Sequence, residues 1–345
     1  MTSPLALRCG ALLGAAGLLT AVDAAVPQVR PTGPWRDPSP HQVRWVTGDT
    51  SVRLEVLDWG GSGPPLVLLG CYLSAHAYDD IAPKLTGQFR VYGLTRRGIG
   101  ASDKPSTGYS VQRSSDDLLA ALDGLEVRSA VLLGTSCAGQ VQTMFASQHA
   151  ERVRGLVYLD GATDPTTTAA EYEPPMPDLK ALPRQVEPLD ALDTSSFDAY
   201  RRALQRTRGF AFPEAELRQL YVANPDGSMG ETLLVPAIRQ AITIDARIKP
   251  DYSRLRTPVL AIYQAQRRFE EEAARYVVRT DQERAALRQM YDATRALYTV
   301  WQRQLLAAVP TARIVDLPGA NLFMFLTHEA DVLREVRAFA ARLAQ

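Results

Sequence analysis

A single serine carries the clearest chemical signal in the sequence. Ser136 lies in Gly134-Thr135-Ser136-Cys137-Ala138-Gly139, between a short apolar run and a stretch with helical spacing. A sharp turn between a strand and a helix presents a serine as a nucleophile, and it needs small residues two positions before and after the serine. Gly134 and Ala138 meet that need. The pattern predicts a serine placed for nucleophilic catalysis.

Three further stretches accompany the serine motif. They are Gly70-Cys71-Tyr72 after an apolar run, Thr95-Arg96-Arg97-Gly98-Ile99-Gly100-Ala101-Ser102 after the next one, and Pro318-Gly319-Ala320 followed by Phe325-Leu326. With the serine motif they resemble the α/β-hydrolase family, in its loops after the third, fourth and last strands. The resemblance covers the chain from Val52 to the C-terminus, apart from one insertion. It implies the α/β-hydrolase fold and an esterase-like or lipase-like serine hydrolase.

The family resemblance also implies a mechanism of acyl transfer. The serine attacks an ester-like carbonyl, a histidine takes its proton, and an acid orients the histidine. The oxyanion would be bound by the backbone N–H of Cys137 and by that of Tyr72 or Cys71. Cys71 and Cys137 would therefore flank one small pocket.

The acid is expected at a less common position. Most family members carry it after the strand that corresponds to Val259–Tyr263, but here Gln264-Ala265-Gln266-Arg267-Arg268 follows. Some members, certain haloalkane dehalogenases among them, use a carboxylate at the end of the sixth strand, where Asp160 stands. We therefore predict Asp160 as the acid, with Asp164 as the alternative. The competing role for either residue is to cap a helix or close a turn.

The family's histidine position holds a leucine. The loop after the last predicted strand reads Pro318-Gly319-Ala320-Asn321-Leu322-Phe323, where the family pattern places histidine at Leu322. Leucine cannot transfer a proton. His328 lies six residues further on, near the start of the last predicted helix, where we expect it to meet solvent or backbone.

The other histidines offer one alternative base. His41 is assigned to the edge of a linker, and His149 closes the helix after Ser136, facing away from the strand ends. His76 opens the helix after the predicted oxyanion loop and could point into the pocket. A surface or helix-capping role is the more common outcome for such a histidine.

Short apolar runs and helical stretches alternate along the chain. Val43–Val46 and Val52–Asp58 predict an antiparallel hairpin. The later runs, each followed by helical spacing, are typical of buried parallel strands. They are Leu66–Leu69, Val91–Leu94, Ala130–Leu133, Leu156–Leu159, Val259–Tyr263 and Ile314–Leu317. The sequence predicts a doubly wound, mostly parallel α/β sheet.

One long gap interrupts this alternation. Nearly a hundred residues separate Asp160 from Val259. Helical spacing over 197–208, 214–221 and 233–247 predicts a helical cap inserted after the sixth strand, whereas 163–189 is expected to be irregular. The predicted organisation is a core of residues 43–162 and 255–345 with a cap or lid of residues 163–254.

The first residues predict export. Arg8 precedes an apolar run from Cys9 to Val22, and the small residues Ala24 and Ala25 follow. This is a signal-peptide pattern over residues 1–25, with cleavage near Ala24 to give a periplasmic or secreted protein. Residues 26–42 contain repeated prolines and are predicted to form an extended linker.

Two cysteines remain after cleavage, Cys71 and Cys137. Their neighbourhood in the pocket leaves a disulfide open, although the geometry of such a bond is strict and two buried thiols are the favoured interpretation. No Cys/His spacing typical of a metal site, phosphate loop or dinucleotide fingerprint occurs. The sequence predicts neither a metal nor an organic cofactor.

Composition limits the partners. Lys plus Arg equals Asp plus Glu at 38 each in 345 residues, so no net charge would attract nucleic acid or an anionic membrane. The apolar run at the N-terminus is too short for a stable membrane anchor. A small apolar or ester-like molecule is the expected substrate or ligand.

Three functional hypotheses follow. The first is a serine hydrolase acting through Ser136 with Asp160, impaired by the missing histidine. The second is a ligand-binding pseudoenzyme that keeps the pocket without turnover. The third is another reaction on the same fold, such as that of a lyase or transferase.

Overall fold

The computed structural model describes residues 35–185, 192–234, 236–245 and 248–343. An eight-stranded sheet forms its centre, in the order β1-β2-β4-β3-β5-β6-β10-β12. The central strands are β1 (Gln42–Thr47), β2 (Arg53–Gly60), β3 (Pro65–Leu69), β4 (Arg90–Leu94), β5 (Ala130–Thr135), β6 (Val153–Leu159), β10 (Val259–Ala265) and β12 (Arg313–Pro318). The strands from β4 to β12 in this order run parallel, and β2 runs antiparallel to both of its neighbours, β4 and β1. The predicted fold is confirmed.

Alternate residues of the parallel strands enter two different hydrophobic clusters, one on each face of the sheet. Leu66 and Leu68 of β3 belong to the first cluster, and Val67 and Leu69 belong to the second. Every residue of β5 is buried. A strand covered on both faces must be apolar throughout, which is why these strands appear in the sequence as unbroken apolar runs.

Helices cover both faces of the sheet. They are α1 (Val111–Gly124), α2 (Ala138–Gln148), α6 (Phe269–Ala273), α7 (Asp281–Ala308), α8 (Met324–Thr327) and α9 (Glu329–Leu343), with α3 to α5 in the inserted segment. Local capping fixes several of their starts. Ser110 accepts a hydrogen bond from the Arg113 N–H at the start of α1, and Thr280 with Glu283 forms a capping box at the start of α7.

The segment between β6 and β10 contains α3 (Phe197–Arg208), α4 (Glu214–Leu220) and α5 (Pro236–Asp245). It also contains the short hairpin β8 (Tyr221–Ala223) and β9 (Met229–Thr232), which the sequence analysis missed. Before these elements the chain is mostly irregular as far as 185, but β7 (Arg184–Gln185) pairs with β11 (Tyr276–Val277). The signals for these strands are weak because each has only two to four residues.

Residues 35–42, the part of the predicted linker that the structure describes, pack against the domain. The Trp59 Nε1–H donates to Ser39 Oγ at 3.1 Å, and the His41 side chain is only 5% exposed. Residues 35–41 contain no helix or strand, and Gln42 already belongs to β1. Polar side chains in this proline-containing stretch find buried partners, which composition alone does not reveal. The predicted signal peptide and residues 26–34 lie outside the described residues.

None of the helices in the described ranges combines the length and the apolar character needed to cross a membrane.

Candidate active site

Ser136 occupies a sharp turn between β5 and α2. Its φ of +55° lies in the left-handed region, which is costly for a residue with a side chain and persists only where the surroundings enforce it. The Ser136 N–H donates to the Leu159 carbonyl at 3.1 Å, and the Gly139 N–H donates to the Ser136 carbonyl at 2.9 Å. The strand, strained turn and helix predicted from the sequence are present around this serine.

A close backbone approach explains the glycine that ends the motif. A Cβ atom on Gly139 would lie 2.0 Å from the carbonyl oxygen of Gly161, in the loop after β6. Such a distance excludes any side chain at this position. Gly139 therefore lets the first turn of α2 press against the loop that follows Asp160.

A disulfide joins Cys71, after β3, to Cys137, directly after Ser136. Their Cα atoms are 5.2 Å apart across a sequence separation of 66 residues. The favoured interpretation of two free thiols was therefore wrong. β3 and β5 are neighbouring parallel strands, so the residues after their carboxyl ends come close together, and the register of the sheet supplies the proximity that the disulfide needs.

An apolar cavity of about 40 Å³ adjoins Ser136. Its lining comes from four parts of the chain: the loop after β3, the end of β5, the inserted helices and the loop after β12. The lining residues are Cys71, Tyr72, Leu73, Thr135, Ser136, Tyr200, Leu204, Phe212, Leu217, Leu220, Tyr221, Leu322 and Phe323. The predicted nucleophile and the residues of the predicted oxyanion loop therefore share one cavity with the inserted segment.

Leu322 lines the same cavity as Ser136. A turn after β12 carries it, with Gly319 at a φ of +78° and the Phe323 N–H bonded to Asn321 Oδ1 at 2.8 Å. Leu322 packs against the hydrophobic cluster of that sheet face, beside Phe323. No histidine or carboxylate is among the residues that line the cavity in the described part of the chain.

Asp160 directly follows β6 and lies beside Ser136 in the sheet, since Thr135 pairs with Leu159 in the parallel register. Like Ser136 it has a positive φ, of +52°. Its carboxylate accepts hydrogen bonds from Gln264 Nε2 at 2.7 Å and from the Tyr298 hydroxyl at 2.9 Å. The predicted acid is therefore buried next to the nucleophile's strand, and an amide and a phenol bind it.

Asp164, the alternative acid, stabilises a turn through its side chain. Its Oδ1 accepts hydrogen bonds from the backbone N–H of Thr166 at 2.9 Å and from the Thr166 hydroxyl at 2.5 Å. This is the turn-closing role that competes with catalysis for such an aspartate.

His76, the alternative base, is not among the residues that line the cavity. Its side chain is buried against Asp37, Asp79 and Glu55. Burial disfavours the charged ring, but the three carboxylates outweigh this and raise the pKa of His76 to about 12. His76 is therefore neither at the surface nor positioned beside Ser136 in the cavity.

The two remaining histidines near predicted helices also have local partners. His328 Nδ1 lies 3.0 Å from Thr327 Oγ1 and precedes α9, and His149 ends α2, where its ring contacts Phe145. His41 lies 3.0 Å from Asp79 through Nδ1, beside His76.

A buried glutamate that is absent from the predicted site residues joins the inserted segment to the predicted oxyanion loop. Glu216 on α4 accepts hydrogen bonds from the backbone N–H of Ser74 at 3.1 Å and from the Ser74 hydroxyl. Complete burial raises the pKa of Glu216 to about 7, although the hydrogen bonds from Ser74 oppose this rise. Leu217 and Leu220, on the same helix, line the cavity. A glutamate among the apolar positions of an amphipathic helix was the available signal.

Comparison with known proteins identifies the family. The family model described as "alpha/beta hydrolase fold" matches residues 64–300, which is more than half of the chain. The chain belongs to the alpha/beta hydrolase fold family. This agrees with the sheet order, the turn at Ser136 and the insertion after β6.

Individual members of the alpha/beta hydrolase fold family match smaller parts. A putative non-heme haloperoxidase of Mycobacterium phage D29 is 36% identical over 104 residues, which are 30% of this chain and 37% of the relative. A non-heme chloroperoxidase of Streptomyces lividans is 29% identical over 187 residues, 53% of this chain and 62% of the relative. The chain thus aligns with less than two thirds of either relative's length.

A solved structure of E-2-(acetamidomethylene)succinate hydrolase shares the fold more completely. It superposes with a TM-score of 0.59 at 20% identity, covering 87% of this chain and 98% of the other. At that identity the likeness concerns the fold alone.

Proposed function

We propose that this chain is a serine hydrolase of small, apolar, ester-like compounds, with Ser136 as nucleophile and with turnover slowed by the missing base. The observation that carries the proposal is the position of Ser136, at a strained turn facing an apolar cavity. Membership of the alpha/beta hydrolase fold family supports a hydrolytic class. Residues 163–254 act as the lid of this cavity.

In the proposed reaction the Ser136 hydroxyl oxygen attacks the substrate carbonyl. The backbone N–H groups of Cys137 and of Tyr72 or Cys71 then bind the oxyanion. Cys137 is also the N-cap of α2, whose positive end favours negative charge at this point. Leu322, at the position where the family resemblance places histidine, cannot accept the serine proton.

Asp160 occupies the acid's position after β6, and Leu322 occupies the position of the imidazole that the acid would orient. Loss of the base in the best-studied triad lowers turnover by about 10⁶-fold, and the oxyanion hole and substrate binding still leave about 10³-fold over water. Activated esters are therefore the appropriate substrates, since their leaving groups need little help from an acid.

The test is hydrolysis of p-nitrophenyl acetate and butyrate by the unmodified chain, beside Ser136→Ala and Leu322→His. We expect slow turnover that Ser136→Ala abolishes and Leu322→His increases. Deacylation also needs a base, so the acylated chain should accumulate. Intact-mass measurement during the reaction detects this acyl group, and its loss in Ser136→Ala assigns it to Ser136. If Ser136→Ala leaves the rate and the acyl adduct unchanged, Ser136 is not the nucleophile.

A non-catalytic ligand binder is the second candidate, and Leu322 favours it. The leucine adds apolar surface to the cavity where the family resemblance implies an imidazole. A binder would retain an ester or a carboxylic acid without hydrolysis, and Ser136→Ala would leave its affinity within a few-fold. Isothermal titration with a hydrolysis-resistant amide or ketone analogue separates this account from slow turnover.

We also propose export to the periplasm or the exterior, as the N-terminal pattern predicts. The Cys71–Cys137 disulfide supports this because such bonds persist in oxidising compartments. Fractionation of cells that express the full chain, with N-terminal sequencing of the mature protein, tests it. Retention of an unprocessed chain with the cytosolic fraction would refute it.

A further inference from the structure

Four side chains with metal-binding chemistry meet beside the helical turn Ala75–Tyr78. They are Asp37, His41, His76 and Asp79, and one potential ligand atom from each lies within 4.8 Å of the others. His76 Nδ1 is 3.0 Å from both Asp37 Oδ2 and Asp79 Oδ2. His41 Nε2 is 3.7 Å from Asp37 Oδ2.

These separations match the edges of a metal coordination sphere. Four ligands at zinc-bond lengths in a tetrahedron stand about 3.3–3.4 Å from one another. The three distances of 3.0, 3.0 and 3.7 Å lie on either side of that value, and the four ligand atoms all lie within 4.8 Å of one another. Small side-chain movements would therefore bring all four atoms to a common centre.

The hydrogen bonds inside the group leave one acceptor unsatisfied. The Nδ1 atom of His76 makes its hydrogen bond with Asp79 Oδ2. Asp37 Oδ2 is buried and has no hydrogen-bond partner among the described residues, although it lies 3.0 Å from the same nitrogen. The one Nδ1–H of His76 can satisfy only one of the two aspartate oxygens that lie 3.0 Å from it, whereas a metal ion that displaces this proton would bind both carboxylates and the ring nitrogen.

The surroundings provide the outer partner that a metal-bound histidine usually has. Glu55 Oε1 lies 3.7 Å from Nε2 of His76, on the ring side away from the aspartates. A carboxylate at the second ring nitrogen fixes the orientation of a ligating imidazole and increases its basicity. The Glu55, His76 and Asp79 side chains are all more than nine-tenths buried.

We propose that Asp37, His41, His76 and Asp79 bind one divalent transition-metal ion. Two imidazoles exclude a preference for calcium or magnesium, and two nitrogens with two carboxylate oxygens suit zinc. The ion fastens residues 37–41 to the turn that follows the predicted oxyanion loop. It lies apart from the cavity, whose lining includes none of the four ligands, so the site is structural and independent of ester hydrolysis.

Zinc binding by the full chain tests this, using a purification tag without histidine because the chain has only four histidines. The chain is stripped with EDTA, equilibrated with zinc and analysed by mass spectrometry of the metal. We expect one zinc per chain, a rise in Tm of several degrees, and the visible spectrum of tetrahedral cobalt when Co²⁺ replaces zinc.

Matched variants assign the ligands. His41→Gln and Asp37→Asn, which alter the two ligands that precede β1, should lose the bound zinc and the cobalt spectrum. His149→Gln and His328→Gln remove histidines elsewhere and should retain both. Glu55→Gln should keep one site with an affinity lowered about 10- to 100-fold.

Two results would overturn the proposal. One is a stripped and correctly folded chain that takes up no zinc, which would make the group a buried network of ion pairs. The other is equal zinc binding by the chain and by His41→Gln. Neither result depends on esterase activity, so failure of the hydrolase proposal is distinguishable from failure of this one.

Discussion

Breaking the Cys71–Cys137 disulfide should lower the free energy of unfolding by about 4 kcal/mol. The bond closes a loop of 66 residues, and the chain-entropy relation for a loop of that length gives about 4 kcal/mol at 25 °C. The bond also holds the residue after Ser136 against the loop after β3. We therefore expect its loss to weaken binding of ester analogues as well as stability.

The assay is urea unfolding of three samples: the oxidised chain, the same chain in a phosphine reductant, and the double variant Cys71→Ala with Cys137→Ala. The reduced chain isolates the cross-link, whereas the double variant also removes two sulfur atoms from a packed region. The reduced chain and the variant should agree to within about 1 kcal/mol, the scale of such a packing loss.

The oxidised and reduced chains could instead differ by less than about 1 kcal/mol in free energy of unfolding. That result would contradict the prediction, because the disulfide would then not stabilise the fold by restricting the unfolded chain, or strain in the folded chain would cancel the effect. Unchanged analogue affinity in the reduced chain would separately show that the loop after β3 holds its position without the bond.

Three further perturbations test other features of the site. Glu216→Gln should remove a pH dependence from the free energy of unfolding. Burial raises the pKa of Glu216 in the folded state to about 7 from an ordinary value of 4.5. Its titration therefore does not affect the free energy of unfolding below about pH 4.5, and it lowers that free energy by about 3 kcal/mol by pH 7. Urea unfolding at several pH values with a chelator present measures this, and an equally steep profile in the variant would contradict it. Gly139→Val should destabilise the fold by at least about 2 kcal/mol because its Cβ would meet the backbone oxygen of Gly161, whereas Gly87→Ala, with open space around it, serves as the control in the same thermal scans. Leu322→His should gain esterase turnover, and Asp160 should orient the new imidazole. Adding Asp160→Asn to this variant should therefore reduce the gained turnover by up to about 10⁴-fold. Equal rates in the single and double variants would show that Asp160 does not have this role.

Strands of the central sheet were predictable because burial on both faces demands unbroken apolar runs. The register of Leu66–Leu69 beside Ala130–Thr135 then determined which loops meet, and the turn at Ser136 followed from its small neighbours. The inserted helices were predictable from their amphipathic spacing. The hairpin at Tyr221–Ala223 was not, because its strands are too short for a period to be visible.

Contacts between residues that come together only when the chain folds could not be predicted from the sequence. Asp37 with His41, and His76 with Asp79, are separated by four and three residues, which is a signal for local pairs. Nothing in the sequence indicates that one pair lies against the other. The binding of Asp160 by Gln264 and Tyr298 likewise depends on β10 and α7 lying beside β6.

If the inserted segment opens as a lid over the cavity, the Ser74–Glu216 contact should affect the timing of ligand entry. Glu216 has no exposed surface, and its helix supplies Leu217 and Leu220 to the cavity. Lifting that helix would break both hydrogen bonds with Ser74. We therefore expect opening to be a slow step that precedes binding, so the observed association rate should level off as ligand concentration increases. In Glu216→Gln that plateau should rise, because the contact that holds the segment closed is weaker.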